Sequence, residues 1–163
     1  MNDTVPWNPA GHVTQRLVET GEIIRDGHNL VVESALEVML QCLMMGAGTA
    51  LSAVVFGNSG SKDGLAPVVT PSMRTIPLAS GGAVARLGPT TDTRSYTSKD
   101  SRGLRSIGTF TALYTPKDTF QYDTLGLISN NGLLFSVTSF PMVTLLGNQS
   151  VSVQWTIMLR GTR

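Results

Sequence analysis

The residues whose types and spacing could do chemistry are few. Gly57-Asn58-Ser59-Gly60-Ser61 sets a serine between glycines, the pattern of a loop that exposes a nucleophilic hydroxyl while backbone amides hold an oxyanion. His12 and His28 lie upstream as candidate bases. Glu33 and Glu37 are one helical turn apart, a spacing that could aim two carboxylates at one cleft, but Gln41 continues the row and the three read as a solvated helix face. Gly46-Ala47-Gly48 follows an apolar periodic run instead of preceding one, so it reads as a helix C-cap and turn, not as a phosphate cradle. Neither GxxxxGK followed by Ser or Thr, nor GxGxxG after a strand, occurs. Cys42 is the single cysteine, and with two histidines it cannot complete a four-thiolate or Cys2His2 zinc site. Its place beside a helical apolar stripe is that of a small buried hydrophobe.

The Ser59 loop bears a faint likeness to that of trypsin-like proteases, but 163 residues are too few for two six-stranded barrels, and neither histidine sits in a strand-end motif with an aspartate. The turn reading is preferred. The expectation is a chain that is not an enzyme, with no catalytic residue, cofactor or bound metal. Interaction residues are better represented. Trp7 stands between Pro6 and Pro9 in an extended segment, where a large aromatic suits an interface anchor. From Gly57 to Gly103 the cations Lys62, Arg74, Arg86, Arg94, Lys99 and Arg102 outnumber Asp63, Asp92 and Asp100. Arg74, Arg86, Arg94, Lys99 and Arg102, with Trp7, are the expected interface residues. The absence of interleaved aromatics favours a protein surface over nucleic acid as their partner.

The elements that must position these residues follow from pattern. Charged residues make up only 14% of the chain, and uncharged polar residues replace them, with 19 Thr, 15 Ser and 17 Gly. That is a vocabulary of strands and turns. Net charge +1 argues against a surface built to grip nucleic acid or an anionic membrane. No apolar run is long enough to cross a bilayer, and the first thirty residues have no basic start followed by an apolar stretch, so folding in the cytoplasm of the producing cell is expected.

Asn29 reads as an N-cap for a helix over residues 30–45, with Val32, Leu36, Met39, Leu40 and Leu43 as its buried stripe. Residues 1–29 read as an extended N-terminal segment with short runs at 12–17 and 21–25, and residues 30–163 as one β-rich domain. Ala53–Phe56 reads as a buried strand, Ala83–Leu87 as a further short one, and the span from about 57 to 103 otherwise as a long loop or arm. Strands are expected at 106–114, 122–128, 133–140 and 150–159, with Asn131-Gly132 as a type I′ hairpin turn. In the last strand Val151, Val153, Trp155, Ile157 and Leu159 share one face. The fold class is mainly β, an antiparallel sandwich or small barrel with one α-helix.

Four runs then carry a resemblance. Tyr122-Asp123-Thr124-Leu125-Gly126-Leu127-Ile128, Asn130-Asn131-Gly132-Leu133-Leu134-Phe135-Ser136, Phe140-Pro141-Met142-Val143 and Val151-Ser152-Val153-Gln154-Trp155-Thr156-Ile157 resemble small virion structural proteins of tailed bacteriophages. Val54-Val55-Phe56-Gly57-Asn58-Ser59-Gly60 after an apolar helix is similar to their N-terminal half. The acidic residue that often precedes the Gly-Leu pair in those proteins is replaced here by Thr124-Leu125. The resemblance implies a non-enzymatic homo-oligomeric building block of the virion, in the tail, neck or baseplate, whose partners are copies of itself and other virion proteins such as major capsid or tail proteins. The alternative it implies is a capsid decoration protein. A carbohydrate- or receptor-binding sandwich should line a cleft with exposed aromatics, which only 10 aromatic residues, mostly at core positions, do not favour.

Overall fold

The computed structural model describes residues 10–45, 50–79, 83–88, 98–100 and 103–161. The strands are β1 (Ala10–Leu17), β2 (Ile23–Val31), β3 (Leu51–Gly57), β4 (Val84–Arg86), β5 (Ser98–Asp100), β6 (Gly103–Tyr114), β7 (Phe120–Ser129), β8 (Leu134–Leu145) and β9 (Val151–Gly161), and the helix α1 (Ser34–Met45) joins β2 to β3. All pair antiparallel in the order β4-β3-β7-β8-β2-β1-β9-β6-β5. A bridge between Leu87 and Ala112 brings the β4 end round to β6, so the sheet nearly closes into a barrel. The mainly-β class with one helix is thus what the chain forms.

Its interior is filled by alternate residues of the strands. On β9, Val151, Val153, Trp155 and Ile157 are buried, whereas Gln154 between them is exposed. Phe56, Phe120, Tyr122 and Phe140 join them in the interior. Phe56 stacks edge-on against Tyr122 with ring centroids 5.0 Å apart, and Tyr122 meets Phe140 the same way at 5.6 Å. A polar pair inside this aromatic cluster is matched: the buried Tyr122 hydroxyl donates to the Gln15 side-chain oxygen at 2.8 Å. Burial pushes the Tyr122 hydroxyl pKa up.

Three sequence expectations are corrected. Residues 10–29 are not a separate extended segment, because β1 lies between β2 and β9 in the middle of the sheet. The helix starts at Ser34, not after Asn29. Leu30 and Val31 pair instead with Val137 and Ser136, and the helix begins where the Ala35 and Leu36 amides first find the carbonyls of Val32 and Glu33. The Ser34 hydroxyl ties this start to β8 by donating to the Leu134 carbonyl at 2.5 Å. The hairpin at Asn131-Gly132 is also not type I′. Only Gly132 has positive φ, at 80°, and its amide donates to Ser129 O, so Asn130 and Asn131 form an ordinary turn closed by a left-handed glycine.

The span after β3 differs most from its expectation as an arm. Residues 58–79 fold over the outer face of β3, β7 and β8. There Ile76 packs with Val32, Val55, Leu134 and Val137 in a second apolar layer, flanked by Val69 and Met73. The backbone is stitched down as it goes. Ser139 donates to Pro67 O at 2.6 Å, the Glu33 amide to Pro71 O at 2.8 Å and the Asn58 amide to Pro77 O at 3.0 Å. Prolines suit this path because they expose carbonyl acceptors without presenting an amide that would need a partner.

Gly126 of β7 leaves the room that this outer layer fills. A Cβ there would meet Leu134 Cδ1 at 2.8 Å, Val55 Cγ2 at 3.1 Å and Ile76 Cδ1 at 3.2 Å. Gly126→Ala is therefore expected to destabilise the fold by about 2 kcal/mol through overpacking, read as a lower urea midpoint with unchanged slope.

Candidate functional site

The Ser59 loop is held from beneath by a buried carboxylate. Asp123 is fully buried on β7, where β7 and β8 lose register between Tyr122 and Thr124. The irregularity turns its carboxylate toward the loop, and the Ser59 and Ser61 amides donate to its two oxygens at 2.7 Å each. The Thr124 hydroxyl donates to the same carboxylate at 2.8 Å and stands 3.0 Å from the Ser59 hydroxyl. The amides that an oxyanion hole would need are thus already engaged by an anion. Ser59 meets Asp123 and Thr124, whereas His12 meets Asp26 and His28, so the serine and histidines of the sequence pattern do not form a nucleophile–base pair. An open depression of about 460 Å³ lies beside the loop, with Leu65 and Val68 exposed on its rim.

His12 and His28 face each other edge-on across β1 and β2, with ring centroids 5.5 Å apart. The Asp26 carboxylate takes hydrogen bonds from the Thr14 hydroxyl and His12 Nε2, both at 2.7 Å. The Thr14 bond first, then that of His12, holds the Asp26 carboxyl below the usual aspartate range. A depressed carboxyl contributes stability above its unfolded value and loses it as pH falls through the folded one. Thr14→Val is accordingly expected to move the Asp26 midpoint upward in an NMR titration, and an unmoved midpoint would remove the hydroxyl as the main cause. Among the described residues no group of three His, Cys, Asp or Glu side chains is arranged to hold a metal ion.

The expected interface residues fare unevenly. Trp7, Arg94 and Arg102 lie outside the described residues. Lys99 is placed on β5 opposite Leu104. Arg86 is exposed on β4. Arg74 is exposed too, and its guanidinium pairs with Glu37 of the helix at 2.7 Å.

The surface that sequence reasoning misplaced is the helix. The stripe expected to be buried splits: Val32 is buried and Met39 half-buried, but Leu36 (53% exposed), Leu40 (56%) and Leu43 (83%) point outward together with Met44 (76%). The inward face is Ala35, Val38, Met39 and Cys42, which has the same helical spacing. A helix apolar on two faces carries no mark of which one goes in, and here the smaller residues do.

Beside this outward ridge runs a polar seam. Glu37 pairs with Arg74, and Gln41 accepts from the Asn131 side-chain amide at 3.2 Å. Beyond the seam lies an apolar groove of about 280 Å³, walled by Val55, Ile76, Leu78, Val84, Ile128 and Leu134 and rimmed by Arg74. Leu78 and Val84 are exposed there. Ridge, seam and groove form one continuous surface, of the kind that marks protein contact on an otherwise self-contained domain. Compared with known proteins, the chain matches no family model, no curated protein and no solved structure.

Proposed function

We propose that this chain is a non-enzymatic structural protein of a tailed-phage particle, a homo-oligomeric component of the tail, neck or baseplate. The observation that carries the reading is the outward apolar ridge of α1 next to an apolar groove. Four large apolar side chains kept in water on one helix are costly unless another chain covers them. The runs that resemble virion proteins occupy β3, β7, β8 and β9, which build the barrel and its outer layer; in this reading they are the scaffold that holds the contact surface. Subunit contacts pass to the helix and groove, since residues 58–79 lie down on their own sheet instead of extending as an arm, and their Arg74 and Leu78 help to form the groove.

Mass spectrometry and immunogold labelling of purified particles from a phage encoding this chain test the proposal. Many copies per particle with label on the tail or neck are expected. Label over the head would favour a decoration protein instead. Absence from the particles would overturn both, and glycan screening would then follow.

A further inference from the structure

We infer that the partner of the ridge is a second copy of this chain, arranged by a two-fold axis so that the α1 ridge of each copy seats in the groove of the other. The inference deepens the assembly reading and rests on it.

The first argument is placement. A surface whose convex and concave apolar parts adjoin can pair with a rotated copy of itself, each ridge meeting a groove, and an isologous contact of this kind uses the same patch twice. Leu36, Leu40 and Met44 supply the ridge, and Leu78, Val84 and Ile128 the receiving wall. A ridge on one side of the molecule and a groove on the opposite side would instead generate a ring or filament. Here the two are tied together by the Glu37–Arg74 pair and the Gln41–Asn131 bond.

The second argument is charge. Among the described residues Arg74 is the one charged residue lining the groove, and Glu37 neutralises it within the same chain. A free anion or an acidic partner therefore gains little there. A two-fold that seats ridge in groove sets Glu37 of each copy beside Arg74 of the other, so the seam is complementary to itself. The net charge of +1 gives two copies little long-range repulsion.

The test is sedimentation equilibrium of the full chain over a concentration series. Wild type is expected to reach twice 17.4 kDa. Leu40→Lys on the ridge and Leu78→Glu in the groove are each expected to return the mass to that of a single chain. Both positions are exposed in the single chain, so circular dichroism spectra should hold and report that the fold is intact. Mixing the two variants is the decisive arm. One contact then joins Lys at 40 to Glu at 78, the other keeps both native leucines, and a dimer of one chain of each is expected. A monomeric wild type at every concentration overturns the inference, as does a dimer broken by Leu40→Lys but indifferent to Leu78→Glu, which would mean ridge against ridge. A chain found in particles yet monomeric in solution would overturn this pairing while leaving the assembly reading standing.

Discussion

Replacing Trp155 with alanine is expected to lower the stability of the domain by about 3 to 5 kcal/mol. The residue is fully buried on β9, between Val13 of β1 and Phe110 of β6. Removing the indole leaves a void at the centre of the barrel, and closely paired strands on both sides cannot collapse into it. For a chain of this length each kcal/mol moves the melting temperature by about 2 to 4 °C, so a drop of roughly 10 °C is the expected reading. Trp155→Phe sharpens the test. The indole nitrogen is buried without a hydrogen-bond partner, so phenylalanine loses some packing but also removes an unsatisfied donor. Its cost should be about 1 kcal/mol. Equal losses for the two variants would contradict the inward placement of this strand face.

Asp123→Ala is the second large effect. The carboxylate collects two backbone amides and a hydroxyl, and without it those donors sit in a part-buried pocket with no acceptor. A loss of about 3 kcal/mol is expected, together with faster hydrogen exchange at the Ser59 and Ser61 amides. Asp123→Asn should fall between, since one oxygen can still accept while the amide nitrogen opposes a donor. Retained amide protection in the alanine variant would show that the loop stands without the carboxylate.

These two residues illustrate unequal legibility. Trp155 was readable because strict alternation over five positions admits one solution, a half-buried strand, and the structure gives each of Val151, Val153, Trp155 and Ile157 the inward face. Asp123 was not. Within an alternating run it is an ordinary polar residue, and its role depends on a register irregularity with β8 and on a loop 64 residues earlier in the chain. The mainly-β class, the antiparallel hairpin of β7 and β8, the approximate strand positions and the existence of one helix all come from local period and turn chemistry. The exact turn type did not, because Asn-Gly fits both a type I′ turn and a type I turn closed by glycine, and the pairing register chose the latter.

What the amino-acid sequence determined by itself is therefore the inventory: strands that alternate, a single helix, aromatics spaced for a core, and too little charge for an exposed polyelectrolyte surface. The tertiary structure alone decided which of two equally periodic helix faces is buried, that residues 58–79 form a cover over their own sheet, and that Glu37 and Arg74 meet between a ridge and a groove. The reason is range. Periodicity records how a segment is divided between inside and outside. Which apolar face finds a partner depends on surfaces brought together from distant parts of the chain, and those are specified only when the barrel closes.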